Sequence, residues 1–203
     1  MMDIYGPFQP ALNQLLIDLK DQIKDLSKAE VAAGQPKLYE HLIGRIKTNQ
    51  SMIEKCQRKG YPVTTRGALR DCKDAVGLRV VCNFIDDIYR CLKLIKANPA
   101  WQIIEEKDYI TNAKPNGYRS YHVILKVTTP FKDVDGNEPG SYYAEIQLRT
   151  IAMDSWASLE HEMKYKHDVH DAARIGRELK KCAEQLAACD IQMQTIRQLI
   201  NQN

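Results

Sequence analysis

The chain has 203 residues, which is enough for one substantial core or for a core with a helical appendage. Its 29 basic and 26 acidic residues leave a net charge of only +3, which excludes a protein that coats nucleic acid through bulk charge and makes any anion site local. No apolar run approaches the roughly 20 residues that cross a bilayer, and no secretory segment precedes the six cysteines, so we expect a cytoplasmic protein with reduced thiols and no membrane contact.

The first predicted elements are a helix, a strand and a second helix. Apolar residues recur every three or four positions from 10 to 33, which is typical of an amphipathic helix. Residues 39–47 alternate as in a strand, with Arg45 and Lys47 on the same face. Ser51 is placed to cap a helix over 51–59, and Glu54 would complete a capping box.

Five side chains of this unit are expected to converge on one point. Ser51, Lys55 and Arg58 share a helix face because they are spaced by four and three residues. With Arg45 and Lys47 they would form an anion site of polyphosphate size beside a helix N-terminus. The alternative is a solvated basic face, the commoner fate of Lys and Arg. The chain has no Gly-x-x-x-x-Gly-Lys-Ser/Thr sequence, so a bound nucleotide would be held by side chains.

The middle of the chain predicts a buried strand, a helix and a further strand. The strand over 76–84 is apolar except for a few positions, of which Arg79 is costly unless it has a partner. Asp74 precedes this strand, either as a helix or turn cap or as a metal-binding carboxylate. A helix follows over 86–96, and then a strand near 101–105.

The segment Lys114-Pro-Asn-Gly-Tyr-Arg-Ser-Tyr-His122 combines turn chemistry with groups that bind nucleotides. Tyr118 supplies a flat π-face and Arg119 a cationic fork. Ser120 and His122 add hydrogen-bonding groups, so the segment suits a base and a phosphate. An exposed loop with a chance cluster of polar residues is the alternative.

Two strands and two helices complete the predicted elements. Strands over 122–128 and 142–149 flank a hairpin turn at 133–136. The second strand has a polar side that a solvated sheet face would explain: Tyr143, Glu145, Gln147 and Arg149. In a helix over 150–165, the residues predicted to be buried are Ile151, Trp156, Leu159 and Met163. Heptad-spaced apolar residues from 175 to 200 predict a seam between helices, possible also between subunits.

Six motifs in this order resemble the synthetase domain of RelA/SpoT-type enzymes, and the chain is similar to a stand-alone small alarmone synthetase. The resemblance runs from residue 40 to 167. The motifs are Gly44-Arg-Ile-Lys47, Ser51 with Lys55 and Arg58, Asp74-Ala-Val-Gly-Leu-Arg-Val80, Lys107-Asp-Tyr-Ile110, Lys114-Pro-Asn-Gly-Tyr-Arg-Ser-Tyr-His122 and Glu145-Ile-Gln-Leu-Arg-Thr150.

The resemblance implies an α/β fold of the nucleotidyltransferase-like type, with a mixed β-sheet flanked by helices and with N-terminal and long C-terminal helices. It divides the chain into an N-terminal helix (1–36), a catalytic domain (37–167) and a helical oligomerisation segment (168–203). The implied activity is (p)ppGpp synthesis, in which the β,γ-pyrophosphate of ATP moves to the 3′-hydroxyl of GDP or GTP. The implied cofactor is Mg²⁺.

The resemblance also implies roles for single residues. Arg45 and Arg79 would sandwich adenine, and the ATP phosphates would be held by Lys47, Ser51, Lys55 and Arg58. Asp74 and Glu145 would bind Mg²⁺. Glu145 is also the candidate base, although the two roles compete because a metal-bound carboxylate is a poor base. Around the acceptor guanine, on which Tyr118 would stack, the remaining residues would be Lys114, His122 and Gln147.

Some features of the family are not expected in this chain. We do not expect the hydrolase domain of the long members, because nothing in the sequence provides its separate helical domain. His167-Asp168 is interpreted as a chance pair, since it has no partner histidines for a metal site. Around His41 and Ile43 the chain lacks an aromatic residue and a hydroxyl that accompany a regulatory nucleotide site in some small synthetases. The C-terminal seam is consistent with a homo-oligomer, either a dimer or a tetramer.

Two rival functions stay open. A toxic small synthetase with the same ATP motifs would pyrophosphorylate tRNA 3′ ends or make adenosine alarmones. A non-catalytic nucleotide or RNA binder would use the same basic and aromatic side chains. The carboxylates Asp74 and Glu145 argue against such a binder, because an anion site gains nothing from negative charges beside the phosphates.

Overall fold

The computed structural model describes residues 3–165 and 172–202. Over these ranges it contains five α-helices and one five-stranded β-sheet, which confirms the predicted α/β fold. The helices are α1 (Gln9–Ala32), α2 (Asn49–Lys59), α3 (Ile85–Ala97), α4 (Ile151–Tyr165) and α5 (Ala172–Asn201). The strands are β1 (His41–Ile46), β2 (Val76–Cys82), β3 (Trp101–Asp108), β4 (Tyr121–Thr129) and β5 (Gly140–Thr150). Each predicted strand is present, with ends that differ by a few residues.

The sheet is mixed, as predicted, and its register places polar residues side by side. The strand order is β1-β2-β5-β4-β3, with β2 and β5 parallel and the other pairs antiparallel. Residues paired across neighbouring strands share a face of the sheet. One such row crosses all five strands, in the order Ile43, Arg79, Gln147, His122 and Lys107.

The other face of the sheet is buried under helices. Leu12, Leu15 and Leu19 of α1 are almost inaccessible and join one apolar cluster with the inward residues of the strands. Helix α1 passes closest at Gly44, where a Cβ would lie 2.7 Å from Leu16 Cδ1. From α3 the cluster includes Ile88, Leu92 and Ile95. This core therefore supports the sheet on the face opposite to the row of residues that runs from Ile43 to Lys107.

The start of α2 differs from the prediction. The helix begins at Asn49, and its N-cap is Thr48, whose hydroxyl accepts a hydrogen bond from Ser51 N at 3.3 Å. Ser51 therefore lies inside the first turn. The predicted capping box is wrong, and Glu54 instead accepts a hydrogen bond from the Gln50 amide. The physical reason is that Thr48 is equally able to cap and lies directly after the last extended residues of the strand.

The burial of α4 is also different from the prediction. Trp156 is buried as expected, but Ile151, Leu159 and Met163 are exposed. Trp156 packs against α5, and its indole Nε1 donates to Leu179 O at 2.8 Å. Helix α4 therefore buries only a short stretch near its start, with Met153 in the main core and Trp156 against α5.

Helix α5 packs on the chain through a face that only partly coincides with the predicted seam. Leu179 and Leu186 of the seam pack towards α4, together with Ala183. The other seam residues are exposed: Ile175, Cys182, Cys189, Met193, Ile196 and Ile200. Near its C-terminal end the helix is held to α3 by Arg197, whose guanidinium lies 2.9 Å from Asp87.

Two predictions fall outside the described residues, namely the His167-Asp168 pair and the domain boundary between 167 and 168. Within the described ranges, no helix is both long enough and apolar enough to span a membrane.

Candidate active site

An open cleft of about 270 Å³ lies on the polar face of the sheet. Gly77, which has no side chain, leaves space in its floor between the strands that carry Arg45 and Glu145. Six of the predicted site residues line it: Arg45, Lys47, Asp74, Arg79, Glu145 and Gln147. The structure therefore brings together residues of three separate motifs.

Asp74 is the meeting point of two lysines. Lys47 Nζ lies 3.1 Å and Lys55 Nζ 2.6 Å from Asp74 Oδ2, so the predicted convergence of these lysines is present. The Tyr5 hydroxyl donates to Lys47 O at 2.8 Å and fixes the backbone there. The second oxygen of the carboxylate, Asp74 Oδ1, is buried and has no hydrogen-bond partner among the described residues. Buried polar atoms are normally paired, so this oxygen is available to a further cation.

Glu145 is held by two donors on the cleft floor. His122 Nδ1 lies 2.9 Å from Glu145 Oε1, and Gln147 Nε2 donates to Glu145 Oε2 at 2.7 Å. Burial on its own would raise the pKa of this carboxyl group. The hydrogen bonds and charges of His122, Gln147 and Lys55 outweigh the burial and lower the pKa to about 2. Glu145 is therefore an ionised and weakly basic carboxylate.

We call residues 114–122 the acceptor loop, after their predicted role. A closed ring of hydrogen bonds connects this loop with Glu145, and we call it the acceptor ring; its members are Tyr118, His122, Glu145, Gln147 and Arg149. Arg149 Nη2 donates to the Tyr118 hydroxyl and to Gln147 Oε1, both at 2.8 Å. The Tyr118 hydroxyl lies 2.8 Å from His122 Nε2. In either protonation state the imidazole donates from Nδ1 to Glu145, while Nε2 accepts from the Tyr118 hydroxyl when neutral and donates to it when charged. The ring thus links the predicted acceptor residues to the carboxylate of Glu145.

The acceptor loop has a shape that only glycine allows at its tip. Gly117 has φ +91°, and a Cβ there would lie 2.6 Å from the Ala183 Cβ of α5. Lys114 Nζ stands 4.5 Å from the ring centre of Tyr109 and 4.9 Å from that of Tyr118. Burial, together with the charge of Lys107, lowers the pKa of the Lys114 ammonium group. The loop is therefore clamped against α5 with its lysine over aromatic rings.

Two polar residues of this loop have a structural position instead of facing a ligand. Arg119 Nη1 donates to Ile110 O at 2.5 Å, and the buried Ser120 hydroxyl donates to Leu148 O at 3.2 Å. Both bonds tie the loop to its surroundings. The structure does not support the interpretation that Arg119 and Ser120 bind a ligand. Tyr118 and His122, by contrast, both belong to the acceptor ring.

Ser51 and Arg58 are not joined to the cleft in the described part of the chain. Both are exposed on α2, and no hydrogen bond or ion pair connects either of them to a cleft residue. Seven residues separate them, which corresponds to about 10 Å along a helix axis. Of the five residues expected to converge, the structure therefore brings three to the cleft or to Asp74.

Arg149 and Asp154 are residues of the site that the sequence reasoning missed. Arg149 is only 5% exposed, so the solvated-face interpretation of its strand is wrong at this position. Asp154 Oδ1 lies 3.0 Å from Arg149 Nη1 and 3.1 Å from Arg79 Nη1, and so supplies the partner that Arg79 requires. The available signal was the alternation that puts Arg149 on the same strand face as Glu145.

Comparison with known proteins agrees with this geometry. The sequence pattern of the region found in RelA/SpoT proteins matches residues 44–170. The chain belongs to the RelA/SpoT family. Among curated RelA/SpoT-type relatives, it is 41% identical over 145 residues to GTP pyrophosphokinase YwaC of Bacillus subtilis (strain 168). That alignment covers 71% of this chain and 67% of YwaC.

Two solved structures extend the RelA/SpoT similarity to nearly the whole chain. Small alarmone synthetase 1 from Bacillus subtilis, bound to its product pppGpp, superposes with a TM-score of 0.83 at 30% identity over 95% of each chain. The same synthetase bound to AMPCPP gives a TM-score of 0.75 at 26% identity, over 97% of this chain and 96% of that chain. The predicted resemblance to a small alarmone synthetase is confirmed, and the roles of single residues stay predictions.

Proposed function

We propose that this chain transfers the β,γ-pyrophosphate of ATP to the 3′-hydroxyl of GDP or GTP, giving AMP and (p)ppGpp. One observation carries the proposal: Lys47 and Lys55 meet on one oxygen of Asp74, in the cleft that also contains Glu145, and the other oxygen has no hydrogen-bond partner among the described residues. Ammonium groups suit a polyphosphate, and bare carboxylate oxygens suit the cation that accompanies it. Membership of the RelA/SpoT family supports the same reaction.

The ATP side of the cleft is assigned to the residues of β1, β2 and α2. Arg45 pairs with Gly77, two residues before Arg79, so the two arginines are diagonal neighbours on one face. Diagonal neighbours lie about 7–8 Å apart, which leaves room for one flat ring between two guanidinium planes. Lys47 and Lys55 then face the phosphates. Ser51 and Arg58 remain candidates for the outer phosphate if ATP reaches along α2.

The residues present fit a Mg²⁺ ion. Asp74 Oδ1 is buried without a hydrogen-bond partner among the described residues, and Glu145 provides a second carboxylate in the same cleft. Magnesium in such sites is held by one or two carboxylates together with substrate phosphate oxygens. The described residues contain no cluster of three or more His, Cys, Asp or Glu side chains, so phosphate oxygens would have to complete the ligand set. The ion would supply positive charge to the phosphate oxygens during transfer.

The acceptor side is assigned to the acceptor ring and Lys114. Tyr118 would stack on guanine, which requires the Lys114 ammonium group to leave the ring face and makes it available to the acceptor phosphates. His122 and Gln147 then line the space between the base and Glu145. In the transfer step the 3′-oxygen attacks the β-phosphorus of ATP. The bond from that phosphorus to the α,β-bridging oxygen breaks, and AMP leaves.

Glu145 has two candidate roles, and its environment favours one of them. A carboxylate whose pKa is about 2 accepts a proton poorly at neutral pH, which disfavours a role as general base. The same carboxylate is fully ionised and suits a cation. We therefore assign Glu145 to cation binding and orientation of the acceptor, with the 3′-hydroxyl proton passing to water. Positioning and charge neutralisation supply most of the catalysis in phosphoryl transfers.

The proposal is tested by offering ATP with one acceptor at a time. The purified protein is incubated with γ-labelled ATP and either GDP, GTP, tRNA or no acceptor, with and without Mg²⁺. We expect Mg²⁺-dependent label in a guanosine nucleotide. Label in tRNA alone would establish the toxin alternative, and label in an adenosine product alone would establish adenosine alarmone synthesis. Binding of both nucleotides without any transfer would establish a non-catalytic binder.

We further propose that copies of the chain associate through α5 in the cytoplasm, where the proposed substrates are found. Exposed apolar residues on α5 support the association, because a soluble helix rarely presents so many. Sedimentation velocity should show a dimer or a tetramer for the wild type. Ile196→Glu should shift it towards monomer, and a wild-type monomer would contradict the association.

A further inference from the structure

We propose that Asp154 is a positioning residue that joins the ATP side of the cleft to its acceptor side, an inference that rests on the proposed function. A single oxygen, Asp154 Oδ1, lies 3.1 Å from Arg79 Nη1 and 3.0 Å from Arg149 Nη1. Arg79 belongs to the proposed adenine site, and Arg149 belongs to the acceptor ring. No other part of the proposed mechanism uses this carboxylate.

Asp154 is held in a fixed place by the start of α4. It lies in the first turn of that helix, where the helix dipole favours a negative charge. The Thr150 hydroxyl caps the same turn by accepting a hydrogen bond from Met153 N at 3.1 Å. Trp156, one half-turn further on, is buried and bonded to α5. The carboxylate is therefore presented from a rigid element and not from a mobile loop.

On the ATP side, Asp154 offsets repulsion among cations. Arg79 is partly buried, and both its burial and the charge of Arg149 lower the pKa of its guanidinium, with a smaller contribution from Arg45. Asp154 acts in the opposite direction. Without this carboxylate, Arg79 and Arg149 would repel each other across the cleft. We therefore expect Arg79 to leave the position from which it would stack on adenine.

On the acceptor side, Asp154 sets the orientation of the Arg149 guanidinium. Because Nη1 is bound to Asp154, Nη2 points to the Tyr118 hydroxyl and to Gln147 Oε1. The guanidinium carbon lies 5.3 Å from the ring centre of Tyr118. A planar guanidinium with one nitrogen fixed has little freedom left for the other. Loss of Asp154 would therefore loosen Tyr118, the residue proposed to hold guanine.

The test is steady-state kinetics of Asp154→Asn, with the KM of ATP and the KM of GDP measured separately. The control is Glu178→Gln, which removes the same charge from an exposed pair with Lys181 on α5. We expect both KM values to rise about three- to tenfold in Asp154→Asn, the range for weakening one charge-assisted hydrogen bond at each arginine. Neither KM should change in the control. A merely structural role would reduce the active fraction, and hence kcat, without moving either KM.

The proposal is overturned if Asp154→Asn changes neither KM, or changes one and leaves the other at the wild-type value. Should this variant not fold, the test uses Asp154→Glu, which keeps the charge and moves the carboxylate by one methylene. We expect a smaller rise in both KM values for Asp154→Glu. Unchanged KM values would overturn the proposal as well. Failure of the proposed function is separately visible, because the wild-type protein would then make no guanosine product. In that case calorimetry would still compare the affinities of Asp154→Asn for AMPCPP and for GDP with those of the wild type.

Discussion

The pH dependence of stability at Glu145 tests the electrostatics of the cleft. The carboxyl group has a pKa of about 2 in the folded protein, against an ordinary value of 4.5. A lowered pKa means that the ionised group stabilises the folded state at pH values above 4.5, and that this contribution is lost as the pH falls towards 2. Each unit of pKa corresponds to about 1.4 kcal/mol, so the full contribution is about 3 kcal/mol.

The perturbation is Glu145→Gln, which keeps the shape and cannot ionise. The free energy of unfolding of both proteins is measured by urea denaturation between about pH 6.5 and pH 3. The wild type should lose about 2 kcal/mol more than Glu145→Gln over this interval, because roughly three-fifths of the contribution is gone near pH 3. Gln147→Met removes one donor to the carboxylate but leaves Glu145 in place, so it should give an intermediate loss. If the free energies of unfolding of wild type and Glu145→Gln changed with pH in parallel, the contribution assigned to Glu145 would be contradicted.

Three further substitutions probe the two sides of the cleft. Gly77→Val adds a side chain to the cleft floor, so the KM of ATP should rise several-fold. The nearest backbone atom is 4.0 Å from the new Cβ, so the melting temperature should stay close to that of the wild type. Gly117→Ala places a Cβ 2.6 Å from that of Ala183 at a φ of +91°, which strains the acceptor loop. The affinity for the acceptor, measured by calorimetry, should therefore fall more than the affinity for ATP. Tyr118→Ala should raise the acceptor KM about tenfold, because base stacking contributes about 1–3 kcal/mol, and should leave the KM of ATP nearly unchanged. Equal effects on both substrates would show that the loop is assigned to the wrong nucleotide.

Local periodicity was sufficient to predict much of the fold. Alternation on β5 put Tyr143, Glu145, Gln147 and Arg149 on one face, which leaves Tyr142, Ala144, Ile146 and Leu148 on the opposite face, and all four of these are buried. Helical spacing placed Lys55 on the face that reaches Asp74. These predictions succeed because the period of a strand or a helix fixes side-chain direction without reference to the rest of the chain.

Features that depend on packing between distant elements could not be predicted in the same way. The exposure of Leu159 follows from where α5 crosses α4, which no local pattern of α4 contains. The buried position of Arg149 has the same origin, because the Tyr118 hydroxyl to which it donates lies 31 residues earlier in the chain, although its other partner, Asp154, is only five residues away. Ser51 was misplaced for a different reason, since Thr48 and Ser51 are both capable caps and the end of β1 decides between them.

The central claim is tested most directly by the stoichiometry of a single reaction with ATP, GDP and Mg²⁺. We expect one AMP to be released for each molecule of pyrophosphorylated guanosine nucleotide, and we expect Asp74→Ala, checked for folding by circular dichroism, to form neither. Release of ADP in place of AMP would contradict pyrophosphate transfer. Near-normal product formation by Asp74→Ala would contradict the site proposed for it.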